Sequence, residues 1–165
     1  MDIAQTFTGS GRPIWLTGAA AALAGSVATE LFGLAARAAG VPMEAGGVGA
    51  DATEPIMVGM FAMGTVICTF WGTVLAMLLA RFAGRPSRTF VWAAVALTVL
   101  SFTTPVAAGA TATSTKVMLC AAHVLAAAII IPMFARRLSA ADDRVTASAP
   151  RAPRRRATTP GARDR

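Results

Sequence analysis

The sequence is poor in the residues that soluble enzymes rely on: only 14% are charged, and it contains one histidine and two cysteines. A chain that is 55% hydrophobic with so few charges is too apolar for an ordinary soluble domain. One histidine and two separated cysteines, Cys68 and Cys120, make neither a zinc site nor a convincing disulfide framework. Nucleophile-elbow, Walker and paired-carboxylate motifs are also missing. We therefore predict no catalytic residue, no metal and no cofactor, and we do not expect an enzyme.

What the chain has instead is long apolar runs. A helix needs about 20 predominantly apolar residues to cross roughly 30 Å of hydrocarbon. The runs lack the period-2 alternation of a lipid-facing barrel, and helices satisfy their own backbone inside lipid. The sequence therefore predicts an all-α fold, an integral membrane four-helix up-down bundle over residues 14–138 that follows a polar lead of residues 1–13. The predicted spans are residues 14–39, 56–80, 90–109 and 117–135.

The connectors between the runs carry charge of one sign each. Residues 81–89 hold three arginines and no acid, whereas residues 40–55 hold three acids and no base. Short loops rich in Lys and Arg stay in the cytoplasm. We therefore expect a bacterial inner-membrane protein with both termini in the cytosol and residues 40–55 outside. That outer loop is rich in glycine, so we expect it to be irregular.

The first run has an alternative interpretation. Arg12 followed by an apolar stretch and small residues is also typical of a cleavable signal peptide. The run continues to Ala39, which is longer than a typical signal core, and its loss would break the charge pattern of the connectors. We therefore favour a membrane span.

The end of the chain is basic and has no aromatic residue. From residue 136 onward it carries nine arginines against three aspartates. We expect residues 139–165 to be disordered and cytosolic. Arginines just inside a membrane can bind anionic lipid headgroups, or they can serve as a topology anchor alone. Nucleic-acid binding is disfavoured because no aromatic residue interleaves with the basic ones. The candidate headgroup-binding residues are Arg136, Arg137, Arg154, Arg155 and Arg156.

Polar residues inside the apolar runs are the candidates for chemistry. Glu30 lies about 13 Å from the outer end of the first span, and His123 lies about 9 Å from the outer end of the fourth. Adjacent spans of an up-down bundle would let the two meet and accept protons. Alternatively, each bonds a nearby hydroxyl or carbonyl and fixes helix register. The candidate intramembrane site comprises Glu30, Arg37, Thr103, Thr104 and His123.

Two stripes predict packing or binding faces. Rows of small residues contain Gly25 and Gly33 in the first span and Gly64 and Gly72 in the second. Such rows let helices approach closely, either inside the bundle, which we favour, or in a homo-oligomer or with another membrane protein. Methionine thioethers suit Cu(I), but methionine more commonly fills gaps between helices. The methionine stripe consists of Met57, Met60 and Met63.

A run from the third span into the fourth carries a family resemblance. Ser101-Phe-Thr-Thr-Pro105, a Thr/Ala-rich loop and a fourth span from Met118 to Pro132 follow the Arg85-Pro86 turn. Residues 14–138 thus resemble an uncharacterised family of small four-helix membrane proteins from high-GC bacteria. That resemblance implies a fold and a location, and it implies no activity and no catalytic residues.

A second resemblance involves the first span. Thr29-Glu30-Leu-Phe-Gly33 with Arg37 is similar to the first helix of the small multidrug resistance transporters. That resemblance implies a glutamate that exchanges protons for cationic drugs, although the longer outer loop, basic tail and His123 depart from it. We predict an accessory or scaffold component of the cell envelope; the alternative is a proton-coupled small-molecule transporter using Glu30 with His123. A membrane enzyme is the least favoured hypothesis.

Overall fold

The computed structural model describes residues 13–148, and it describes side chains as far as residue 140. Four stretches are long and apolar enough to cross a membrane, and they correspond to α1, α2, α3 with α4, and the first part of α5. The all-α prediction is confirmed, and the chain is a multi-pass membrane protein. The elements are α1 Ile14–Ala38, β1 Glu44–Ala45, β2 Glu54–Pro55, α2 Met60–Phe82, α3 Pro86–Ser101, α4 Thr103–Ala107 and α5 Thr113–Ser148.

The helix bounds differ from the predicted spans in ways that local chemistry explains. The second span starts at Met60, because residues 56–59 belong to the connector. The third starts at Pro86, whose missing N–H is harmless in a first helical turn. Helix α5 runs to Ser148, so residues 139–148 of the predicted disordered tail are helical. Residues 1–12, and residues 149–165 of the predicted tail, lie outside the described residues.

The helices form the predicted up-down bundle. Helix α1 packs against α2 and α5, and α3 packs against the same two helices. The third span breaks at Phe102 into α3 and α4. Pro105 causes the break, since it has no N–H to donate to the carbonyl of Ser101. We call the end of the bundle with the α2–α3 turn, which holds Arg81, Arg85 and Arg88, the arginine end. The opposite end, which holds the β1–β2 hairpin, is the hairpin end.

A compact core lies near the arginine end. Ala21, Ala76, Phe90, Phe134 and Leu138 form one buried cluster. The rings of Phe90 and Phe134 lie 5.2 Å apart between centroids, which joins α3 to α5. The small Ala21 and Ala76 let α1 and α2 approach across the same cluster.

The middle of the α1–α2 interface contains hydroxyl groups that bond between the two helices. Thr29 and Thr65 hydroxyl oxygens lie 2.9 Å apart in the buried interface. Ser26 Oγ donates to the Ala62 carbonyl across it, at 3.2 Å. Gly25 faces Thr65, where an added Cβ would lie 3.0 Å from the threonine methyl. Close backbone approach therefore lets these hydroxyls bond between helices, which is a common device in membranes.

The connector that we expected to be irregular is an antiparallel hairpin with a defined register. Glu44 pairs with Pro55 and Ala45 with Glu54. Helix α1 ends in a Schellman motif, with Gly40 at φ 83° and the Val41 N–H bonded to the Ala36 carbonyl. This motif turns the chain back over the bundle so that the hairpin covers its end.

The hairpin is fastened to the α4–α5 loop, and we call residues 41–59 together with residues 108–112 the hairpin cap. Gly46 N–H donates to Thr111 Oγ1 at 2.8 Å, and Gly109 N–H donates to the Gly47 carbonyl at 2.9 Å. Thr115 Oγ1 donates to the Pro42 carbonyl. Met43 and Ile56 of the cap pack with Met118 of α5 in a buried apolar cluster.

Candidate functional site

Glu30 caps the start of α2. Its Oε1 accepts a hydrogen bond from the Gly59 N–H at 2.7 Å, and its Oε2 accepts one from the Ala62 N–H at 3.1 Å. The first N–H groups of a helix have no intrahelical acceptor, and a negative charge there is favoured by the helix dipole. The carboxylate from α1 thus does for α2 what a capping side chain normally does within one helix.

The residue at the N-cap of α2 explains why a cap must come from elsewhere. Gly59 has no side chain, adopts φ 93°, and makes no side-chain cap bond. The positive φ suits glycine, and it turns the connector into the axis of α2. A carboxylate from the neighbouring helix is therefore needed to satisfy the start of α2.

Arg37 holds the other side of the same connector. Its Nη2 donates to the Ile56 carbonyl at 2.7 Å. Arg37 lies seven residues after Glu30, which is about two helical turns and places both on one side of α1. Arg37 therefore reaches backbone instead of neutralising Glu30. Together the two side chains attach the segment from Ile56 to Ala62 to α1.

His123 has partners of its own. Its Nδ1 lies 2.7 Å from the Leu119 carbonyl one turn earlier in α5, so Nδ1 carries the proton in this bond. The ring meets Phe102 edge to face, with centroids 6.3 Å apart. Among the described hydrogen bonds, none joins Glu30 to His123. Each of the two side chains bonds a backbone group instead, and the proton-accepting pair stays a prediction.

The two threonines lie beside the break between α3 and α4. Thr103 Oγ1 donates to the Leu100 carbonyl at 2.7 Å, and Thr104 is exposed. The Thr103 bond satisfies a carbonyl near the helix end, as hydroxyls commonly do around proline in membrane helices. The Thr103 side chain therefore stabilises the break, and among the described hydrogen bonds none joins either threonine to Glu30.

A groove adjoins the carboxylate. It has a volume of about 300 Å³, is open to the surroundings, and is lined by five residues of α1 and α2. The groove surface is apolar, because the polar groups of Ser26 and Glu30 bond the α2 backbone. Val27 and Leu31 are exposed beside it, and the carboxylate oxygens are turned toward the α2 backbone. The lining residues are Ser26, Val27, Glu30, Leu31 and Ala62.

The other candidate faces divide between packing and exposure. Gly33 contacts Phe61, whose ring carbon would lie 2.7 Å from an added Cβ, whereas no atom of another element in the described part of the chain lies within 4 Å of that position at Gly64 and Gly72. Cys68, between the last two, is exposed, and both cysteines are free thiols. Met57, Met60 and Met63 are all exposed. Arg136 is exposed and Arg137 half-buried, whereas Arg154, Arg155 and Arg156 lie outside the described residues.

Sequence reasoning found Glu30 and Arg37 but not their partners. The partners are main-chain groups: the Ile56 carbonyl in the connector and the Gly59 and Ala62 N–H groups at the start of α2. Backbone positions leave no residue-type signal. The one available hint was Gly59, because a glycine directly before a helix lacks the usual Ser, Thr, Asp or Asn cap. The bonds of Gly46 and Gly109 in the hairpin cap were missed for the same reason.

Residues 9–140 match the model of DUF6069, a protein family of unknown function, so the chain belongs to that family. No curated protein and no solved structure matches the chain significantly.

Proposed function

We propose that this member of the DUF6069 family is a structural membrane protein, an accessory or scaffold component of a bacterial cell envelope without enzymatic activity. The observation that carries the proposal is the hydrogen bonding of Glu30: each of its two carboxylate oxygens accepts a hydrogen bond from a backbone N–H at the start of α2. A carboxylate held by two donors stabilises the fold and is poorly placed to exchange protons with a substrate. Glu30, the ionisable residue that suggested a chemical function, therefore stabilises the fold.

The charge distribution supports a location in the inner membrane with both termini in the cytosol. Arg81, Arg85 and Arg88 lie at the arginine end, and the acids of the hairpin lie at the opposite end. Arginine-rich short loops remain on the cytoplasmic side. In this orientation the hairpin cap faces outward, and the arginines face anionic headgroups of the inner leaflet.

A scaffold needs a surface for a membrane partner, and α2 offers one. Gly64, Cys68 and Gly72 follow each other every four residues, and within residues 13–140 no side chain contacts the Cβ position of either glycine. Small residues in such a row allow a second helix to approach closely. A second copy or another membrane protein would pack here.

The competing hypothesis is a proton-coupled transporter that uses Glu30 with His123. The separate backbone bonds of these residues weigh against it. In vesicles loaded with a pH-sensitive dye, the transporter predicts proton flux when a cationic drug is added, and Glu30→Gln would abolish it. The scaffold predicts that protein-containing vesicles behave like empty ones.

Photo-crosslinking in native membranes tests the scaffold directly. A photoreactive amino acid at position 68 should crosslink to a specific protein, whereas the same amino acid at position 96, exposed on α3, should not. Gly64→Leu with Gly72→Leu should remove the crosslink without unfolding the protein. A chain that yields only lipid adducts at both positions would contradict a partner at α2.

A further inference from the structure

We call the contact between α3 and α5 the seam. It has a polar half at the arginine end and an apolar half farther into the membrane. At the arginine end, Ser87 Oγ and Ser139 Oγ lie 2.9 Å apart, and Ser87 Oγ donates to the Ala135 carbonyl at 3.1 Å. Farther into the membrane, the same two helices border an open groove of about 330 Å³. The groove is lined by Thr98, Val124, Ala127, Ala128, Ile131 and Pro132.

Arg88 and Arg136 lie beside the polar half of the seam, on the side that faces away from the core. Phe90 and Phe134 leave the seam toward the core. Arg88 follows Ser87 by one residue and Arg136 follows Ala135 by one, which is a rotation of about 100° around each helix, away from those phenylalanines. Because the helices are antiparallel, the two rotations lead to the same side of the seam. Both arginines are exposed there.

The apolar half lies directly above these arginines. Pro132 is four residues from Arg136, about 6 Å along α5, and the groove extends roughly 12 Å farther, to Val124. The short side chains of Ala127, Ala128 and Pro132 keep it open. A lipid-facing groove of this kind is filled by an acyl chain in a bilayer, whereas phosphate alone has no use for it.

We propose that the α3–α5 seam is a binding site for one anionic glycerophospholipid. Arg88 and Arg136 pair with its phosphate, the Ser87 and Ser139 hydroxyls lie beside the headgroup, and one acyl chain occupies the groove. Basic sites between membrane helices on the cytoplasmic side commonly hold acidic headgroups. The site is separate from the Glu30 cap and from the α2 face, so it stands or falls independently of the scaffold role.

The test is lipid binding to the purified full-length chain in mild detergent, measured by native mass spectrometry with phosphatidylglycerol against phosphatidylcholine. Each arginine near a charged surface is worth about 5-fold in affinity, so Arg88→Gln with Arg136→Gln should lower the preference for phosphatidylglycerol roughly 30-fold. Arg88→Lys with Arg136→Lys should retain most of it. Arg163→Gln with Arg165→Gln makes the same charge change in the basic tail, outside the candidate headgroup-binding residues, and should leave it unchanged.

The groove is tested by filling it. Ala128→Leu should lower phosphatidylglycerol binding, whereas Ala96→Leu, on the exposed opposite face of α3, should not. Millimolar inorganic phosphate should fail to displace the lipid. The proposal is overturned if the tail variant loses as much preference as the seam variant, if Ala128→Leu binds normally, or if phosphate competes fully.

Discussion

Removal of the Glu30 carboxylate is the perturbation that separates a structural role from a chemical one. Glu30→Ala deletes two acceptors and leaves the Gly59 and Ala62 N–H groups at the start of α2 without their partner. A lost cap costs about 0.5–2 kcal/mol, and a stranded polar group costs about 1–3 kcal/mol. Taken together, these two costs give an expected loss of about 2–4 kcal/mol in the free energy of unfolding.

Glu30→Gln refines the expectation. The amide retains one carbonyl oxygen that can accept a bond from either N–H, but it lacks the charge that the helix N-terminus favours. We expect a loss of about 1–2 kcal/mol, between wild type and Glu30→Ala. Unfolding by sodium dodecyl sulfate titration in mixed micelles measures both values.

Glu54→Ala is the matched control, because Glu54 is exposed on the hairpin. Its loss should change the unfolding free energy by less than about 0.5 kcal/mol. The reasoning is refuted if Glu30→Ala is as stable as Glu54→Ala. It is also refuted if Glu30→Gln is more stable than wild type, which is the result expected for a strained functional carboxylate.

Two further predictions concern the hairpin cap. Gly109→Ala should destabilise the protein by about 1–3 kcal/mol, because the added Cβ would overlap the Ala50 backbone, whereas Gly47→Ala, with only the Ala50 methyl at 4.0 Å, should be nearly neutral in the same titration. Arg37→Gln should lose about 1–2 kcal/mol and make residues 56–59 more sensitive to limited proteolysis, because a charged donor to the Ile56 carbonyl is removed. Equal proteolysis of Arg37→Gln and wild type would contradict that role.

Much of the fold follows from the sequence, because hydrophobic length and helix-terminating residues are local properties. The arginine turn at Arg85-Pro86 and the break at Pro105 were both recognisable from residue type. The pairing of α1 with α5 followed from up-down connectivity. These features depend on single segments or on chain order, so a sequence suffices.

The hairpin cap could not be predicted in the same way. Glycine-rich composition indicates a loop, but the cap depends on Gly46 and Gly109 meeting across a separation of many residues. Glu30 shows the same limitation at the candidate site. The position of Glu30 in an apolar run indicated that its carboxylate needs a partner. The partners are main-chain N–H groups, and only the folded chain defines where they lie.

Hydrogen–deuterium exchange at the start of α2 tests most directly the claim that Glu30 is a structural cap. In Glu30→Ala, the amides of Gly59 and Ala62 should exchange roughly 10-fold or more faster than in wild type, since a loss of about 1.4 kcal/mol in local stability corresponds to a factor of 10. The exchange of Thr69 and Thr73, farther along α2, should remain unchanged. Identical exchange at Gly59 and Ala62 in both proteins would contradict the account.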